Sequence, residues 1–189
     1  MKTTNIMIVG VGGQGSLLAS KLLGNLLVDE GYDVKVSEVH GMSQRGGSVV
    51  TYVRFGEKVY SPIIDKGEAD FIVAFEKIEA ARYAPYLKKG GKIIVNSQEI
   101  EPMPVIVGAA EYPTNALYEL ESLGVCVDKL DALAYANEAG SAKAVNIVLM
   151  GKLSKYMDIS EEKWICAIEK TAPKKFIDLN IKAFCLGRK

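Results

Sequence analysis

Gly10-Val11-Gly12-Gly13-Gln14-Gly15 constrains the fold more than any other stretch of this chain, because of what flanks it. Ile6 to Val9 reads as a short buried strand ahead of it. Behind it, Leu17, Leu18, Lys21, Leu22, Asn25 and Leu26 recur at helical spacing. A strand, the pattern G-x-G-x-x-G and a helix in immediate succession make the first half of a nucleotide-binding βα unit. Glycines there permit a tight turn and a close backbone approach, and free N–H groups at the helix start attract an anion. Two readings stand side by side. The glycines serve only helix–strand packing, or they hold the phosphate of NAD, FAD, coenzyme A or a related compound.

The rest of the chain continues an α/β rhythm. Gly31 is placed to stop the first helix, and Val34 to Val39 reads as a second, buried strand. Val49 to Phe55 alternates as a third strand, with Phe55-Gly56-Glu57-Lys58 as a hairpin turn into Val59-Tyr60. Phe71 to Phe75 is a strand and Glu76 to Leu87 a helix. Gly90 and Gly91 end that helix, and Lys92 to Val95 is the next strand. The proline-bearing region 100–112 predicts an edge strand or a surface crossing. Ala116 to Leu123 is helical, and Val125 to Val127 is a last strand. Helices follow at 130–138, 141–157, 160–170 and 174–186, with Ser160 as an N-cap and Pro173 at a first helical position. The fold expected is a single α/β domain over 1–189: a Rossmann-like, mostly parallel sheet with helices on both faces and a helical C-terminal third.

Composition excludes several function classes. Lys plus Arg and Asp plus Glu both number 23, so no net field draws the chain to nucleic acid or acidic lipid. MKTTN runs straight into a strand and no apolar stretch approaches the roughly 20 residues of a membrane span, so neither a signal peptide nor a membrane role is expected. Cys126, Cys166 and Cys185 fit neither a metal clip nor a disulfide framework; buried thiols in a reducing cytoplasm are expected. The near-continuous apolar stretch Ala144 to Leu153, broken by Asn146 and Lys152, points to core packing ahead of a subunit contact. Trp164, Phe176, Phe184 and Leu186 are the expected docking surface.

His40-Gly41-Met42-Ser43-Gln44-Arg45-Gly46-Gly47 follows Glu38 where a nucleotide-binding domain would place a helix. On a parallel sheet this loop falls on the carboxyl-end rim that also carries the glycine-rich turn, so both can line one crevice. Arg45 offers a fork of donors for phosphate or carboxylate, and Gly46 and Gly47 allow close backbone approach. His40 can titrate or donate, and Glu38 stands where a ribose-binding acid would. Each also has a plain structural reading: a local hydrogen bond, an interface ion pair, a bend.

GVGGQG at 10–15, SEVHGMSQRGGSVVTYVRFG at 37–56 and AKAVNIVLMG at 142–151, in that order, resemble the gamma-type chain of the 2-oxoacid:ferredoxin oxidoreductases, and within it the indolepyruvate branch. The resemblance implies oxidative decarboxylation of a 2-oxoacid to an acyl-CoA with electrons passed to ferredoxin. It implies that this chain is one subunit, inactive alone and cytoplasmic. A larger alpha subunit would carry thiamine diphosphate, magnesium and 4Fe-4S clusters, and ferredoxin would be met through the complex. Three scattered cysteines cannot furnish the roughly four thiolates of a cluster. The same resemblance implies coenzyme A binding by Gly10, Gly12, Gly13, Gln14 and Gly15 with Ser43, Arg45, Gly46 and Gly47. Glu38, His40, Met42 and Gln44 would form a rim facing the partner or active site. Other 2-oxoacids (pyruvate, 2-oxoglutarate, branched-chain) stay open, as does a free-standing NAD(P)-dependent oxidoreductase.

Overall fold

The computed structural model describes residues 3–41 and 46–189. Strand β1 (Thr4–Val11) lies in the middle of a six-stranded sheet. Its residues Ile6 to Val9 are fully buried, because both edges are paired and both faces covered. Chain order then runs α1 (Ser16–Asp29), β2 (Asp33–His40), β3 (Ser48–Gly56), β4 (Ala69–Ala74) and α2 (Lys77–Tyr83). It continues through β5 (Leu87–Asn96), α3 (Met103–Ile106), α4 (Ala116–Ser122), β6 (Cys126–Leu130) and α5 (Ala132–Ala139), ending with α6 (Val145–Ser154), α7 (Glu161–Thr171) and α8 (Ile177–Arg188).

The strand order is β2-β3-β1-β4-β5-β6. β1, β4, β5 and β6 are parallel neighbours, while β3 runs antiparallel to both β1 and β2. The sheet is therefore mostly parallel, with an antiparallel ribbon at one edge. β2 still points the same way as β1, so its carboxyl end reaches the same rim. As an edge strand β2 is open: Val36 is 47% and Val39 50% exposed, which corrects the expectation of a buried strand. The hairpin expected at Phe55 to Tyr60 does not form. Instead Asp33 Oδ2 accepts the Val59 amide at 2.9 Å and folds the crossing down.

Two apolar layers cover the sheet. On one face α1, α5, α6, α7 and α8 pack over Ile6, Ile8 and Val53; on the other, α2 and α4 pack over Met7, Val9 and Ile72. Burial of Leu22, Leu23, Leu26 and Leu27 fixes α1 against the sheet, each contributing about 1.5–3 kcal/mol. The buried stripe is rotated from the expected one, leaving Leu17 65% exposed at the rim. Nearly every residue of α6 is buried, in agreement with core packing.

Several boundaries moved. The Gly90-Gly91 pair does not end a helix. It lies inside β5, where Gly90 takes φ +79° and the register with β4 shifts. Residues 128–130 belong to β6, and α5 starts later, capped by Asp131 Oδ1 on the Ala134 amide at 2.9 Å. Ser160 occupies the N-cap of α7 without a capping side-chain bond; its hydroxyl holds the Glu162 carboxyl below its usual range instead. Pro173 precedes a 3₁₀ turn, and region 100–112 is a surface crossing with one helical turn. Trp164 and Phe184 are fully buried, stacked with centroids 5.6 Å apart, and Leu186 is buried beside them. Of the expected docking aromatics only Phe176 is exposed, because α7 and α8 turn their aromatic faces inward onto α6 and the sheet. Cys126 and Cys166 are exposed and Cys185 half-buried, so the thiols are not the buried set expected.

Candidate functional site

At the end of β1 the turn is braced from inside. The Gln14 side chain folds back, its Oε1 accepting the Val11 amide at 2.7 Å and its Nε2 donating to the Phe75 carbonyl at 3.1 Å. A Cβ on Gly10 would stand 2.9 Å from both Gln14 Oε1 and Phe75 Cβ. Gly10 and Gln14 thus tie the turn to the end of β4, and the Gln14 side chain is not turned toward a ligand.

Gly12 has a different task. Its amide donates to the Gly47 carbonyl at 2.9 Å, and its carbonyl accepts the Gly46 amide at 3.4 Å. The two loops that the sequence placed on one rim are therefore bonded directly to each other. This engages the Gly12 amide inside the protein, and the Gln14 amide is likewise held by the Val11 carbonyl at 3.2 Å. Gly13 and Gly15 take left-handed backbone, φ +103° and +87°, and among the described residues their amides have no backbone partner in the turn. No side chain caps α1 and no acid lies in its first turn, so its positive dipole end is left unneutralised there.

A cleft opens on each side of this turn. The larger, about 500 Å³, is lined by Gly13, Gly15, Leu18, Ile100, Lys143 and Asn146, among others. The second, about 490 Å³, joins Gly12, Gly13 and Ser16 to Glu38, His40 and Val49. Glu38 and His40 are exposed and do not pair with each other: Glu38 Oε2 accepts the Thr51 hydroxyl at 3.4 Å, and His40 Nδ1 lies 3.2 Å from the Gly41 carbonyl. Gly46 sits at φ +75° in the same rim. Ser48, next in line, donates its hydroxyl to the buried Glu79, which fastens the start of β3 to α2. Met42, Ser43, Gln44 and Arg45 lie outside the described residues.

The far wall comes from residues that the glycine-rich motif does not mark. Asn146, 2% exposed, donates Nδ2 to the Gly15 carbonyl at 3.2 Å and so fixes the turn from α6. Lys143 brings an exposed cation to the same cleft, and Gln98 and Ile100 complete its lining. A clue was available: Asn146 interrupts an otherwise apolar helix, and both Lys143 and Asn146 fall inside the 142–151 stretch. Among the described residues no group of three or more His, Cys, Asp or Glu side chains is arranged to hold a metal ion. Among them, too, no helix is long and apolar enough to cross a membrane.

Fold and rim together define an α/β chain whose glycine-rich turn and uncapped helix start lie between two clefts. Residues 5–189 match the family described as pyruvate ferredoxin/flavodoxin oxidoreductase. The indolepyruvate oxidoreductase subunit IorB of Thermococcus kodakarensis is 48% identical over 196 residues, covering 100% of this chain and 96% of the relative. Its counterpart from Pyrococcus horikoshii is 45% identical over 199 residues, with coverages of 100% and 96%. Among solved structures, the gamma subunit of a keto/oxoacid ferredoxin oxidoreductase from Geobacter sulfurreducens superposes with a TM-score of 0.72 at 24% identity, covering 97% of this chain and 95% of that one. A 2-oxoglutarate:ferredoxin oxidoreductase from Magnetococcus marinus, solved with 2-oxoglutarate, coenzyme A and succinyl-CoA bound, gives 0.76 at 22% identity; the match covers 100% of this chain and 31% of that one. The chain belongs to the pyruvate ferredoxin/flavodoxin oxidoreductase family, as a gamma-type subunit of a 2-oxoacid oxidoreductase.

Proposed function

We propose that this chain is the subunit of an indolepyruvate-type (aryl pyruvate) 2-oxoacid:ferredoxin oxidoreductase that binds coenzyme A and holds it against a larger partner. In the overall reaction a 2-oxoacid and coenzyme A give an acyl-CoA and carbon dioxide, and two electrons pass to ferredoxin. The aryl pyruvate preference rests on the names of the IorB relatives. The observation that carries coenzyme A binding is the start of α1, where Gly13 stands in open space between two clefts with nothing within 4 Å of a Cβ position. A pyrophosphate there meets the amides of Gly13 and Gly15 and the helix dipole. Lys143 supplies a cation at the mouth, and Leu18, Ile100 and Val145 supply an apolar wall for the rest of the ligand. Ser43 and Arg45 belong to this proposal on sequence grounds, as does the partner-facing rim of Glu38, His40, Met42 and Gln44.

Thiamine diphosphate with its magnesium and the 4Fe-4S clusters are assigned to the larger subunit, which brings the complex its ferredoxin contact and the carbon–carbon cleavage. In support, Cys126 lies on β6, Cys166 on α7 and Cys185 on α8, three thiols on separate elements for a cluster that takes about four. A free-standing NAD(P) enzyme is disfavoured by the strand order. Dinucleotide folds place the ribose-binding acid on the strand beside β1. Here β3 intervenes and moves Glu38 outward by one strand spacing, about 4.8 Å.

The test is calorimetric titration of the assembled heteromer with coenzyme A, comparing Gly13→Asn with Gly13→Asp. Both side chains meet the same backbone strain at φ +103°, so the pair isolates one negative charge at the cradle. Affinity on the order of tenfold weaker for the aspartate variant supports the reading. Equal affinities, or NADH binding tighter than that of coenzyme A and weakened by Gly13→Asp, reject it.

A further inference from the structure

α2 starts on an unusual cap. Glu76 is 1% exposed, and its Oε2 accepts the Glu79 amide at 3.1 Å. Capping alone needs only a Ser, Thr, Asn or Asp, with no buried longer carboxylate to desolvate. The other oxygen explains the choice. Glu76 Oε1 accepts the backbone amide of Ile100 at 3.3 Å and also the hydroxyl of Tyr112. One atom therefore gathers both ends of the crossing 100–112. Burial first, and the Glu76 hydrogen bond second, push the Tyr112 phenol far above its ordinary range, so it stays a donor at any working pH.

The short run leading into that crossing is tied to the same place. The Lys77 amide donates to the Gln98 carbonyl at 3.4 Å, Lys77 Nζ pairs with Glu99 at 2.7 Å, and the fully buried Asn96 donates to Gln98 Oε1 at 3.2 Å. Gln98 and Ile100 line the larger cleft together with Gly13, Gly15 and Asn146. The wall is thus not held by apolar packing of its own. Its Gln98 end is held by Asn96 and the Lys77 amide, and its Ile100 end by a buried carboxylate that also starts α2, next to Phe75, the residue to which Gln14 staples the glycine-rich turn. Turn and wall are referred to one fixed point.

We propose that Glu76 is a positioning residue for the ligand of this cleft, setting the distance between the wall of Gln98 and Ile100 and the Gly13–Gly15 turn. The inference rests on the coenzyme A reading. An amide at position 76 can offer its single oxygen to the Glu79 amide or to the Ile100–Tyr112 pair, and cannot serve both. Phenylalanine at 112 removes one donor while keeping the ring.

The experiment is steady-state kinetics of the assembled enzyme with Glu76→Gln and Tyr112→Phe, together with amide hydrogen exchange at Ile100. A rise in KM for coenzyme A on the order of tenfold for Glu76→Gln and severalfold for Tyr112→Phe is expected. kcat and the KM for the 2-oxoacid stay unchanged, and the Ile100 amide exchanges faster. If Glu76→Gln does not fold, Tyr112→Phe alone decides. An unchanged KM for coenzyme A in the folded variants, or a fall in kcat with no change in that KM, overturns the role of Glu76. Where Gly13→Asp weakens coenzyme A binding but these variants do not, only this inference falls. Where Gly13→Asp also has no effect, the coenzyme A reading itself has failed, and this inference falls with it.

Discussion

Glycine serves two opposite purposes in this molecule, at the start of α1 and at the crossing of α6 with α8. A Cβ on Gly13 would meet nothing within 4 Å. A Cβ on Gly151 would lie 2.1 Å from the Phe184 carbonyl oxygen, and one on Gly187 would lie 2.0 Å from that of Val148. In the first place glycine leaves room beside an exposed backbone; in the second it lets two buried helices touch backbone to backbone. The difference shows that a glycine-rich motif and a lone helical glycine look alike in composition and have unrelated costs. The open one is required by conformation and by whatever enters the space. The closed ones are required by packing, since each gives up about 1 kcal/mol of helix propensity relative to alanine.

The sharpest way to break this comparison is Gly187→Ala, which forces α8 away from α6. It should lower unfolding free energy by about 3 kcal/mol or more in urea titrations, and Gly151→Ala should behave alike. A loss under about 1 kcal/mol would mean the helices slide apart without strain. Gly15→Ala comes next and mixes both causes, because Gly15 has φ +87° and its Cβ position lies 2.9 Å from Asn146 Nδ2. A loss of about 2 kcal/mol is expected, with roughly half recovered when Asn146 is also made alanine. No recovery would assign the whole cost to the backbone. Gly13→Asn and Gly13→Asp should each cost only about 1 kcal/mol of stability while differing in coenzyme A affinity, which separates conformation from occupancy at the open position.

The smallest effect lies at the foot of β2. Asp33 has its carboxyl below the usual range, chiefly through its hydrogen bond from Lys35 and then the Val59 amide. A carboxylate whose folded value is depressed adds stability that is fully present above its unfolded value of about 4 and is lost as pH falls through the folded one. Acid unfolding of Asp33→Asn should accordingly show a slightly weaker pH dependence below about pH 4 than the unmodified chain. Identical profiles would place the Asp33 interaction outside the folding equilibrium.

How much of this was legible depends on distance along the chain. The strand, turn and helix at 4–29 could be read because spacing and glycine placement are local signals. The antiparallel entry of β3 was not read from its alternation, which is the same for either direction. Yet positions 41–47 are too few for a crossover connection of a dozen or more residues, so a hairpin between β2 and β3 was the available inference. Trp164 and Phe184 were misplaced because an aromatic on an amphipathic helix suits a core or an interface equally. Only α6 beneath them decides. In the site, the rim carrying Gly12, Gly46 and Gly47 was anticipated. The wall of Gln98, Ile100, Lys143 and Asn146 was not, since it arrives from segments about 80 to 130 positions downstream of the turn.

By itself the sequence determined a βα unit opening on a glycine-rich turn, a second loop on the same rim and a mostly parallel sheet, because backbone conformation and apolar periodicity are written in neighbouring residues. Tertiary structure alone decided which amides of that turn are engaged. It set Gln14 and Gly12 to bracing, left Gly13 open, and tied Ile100 and Tyr112 to Glu76. Burial and hydrogen-bond partnership belong to groups that meet only after folding, so no local pattern specifies them.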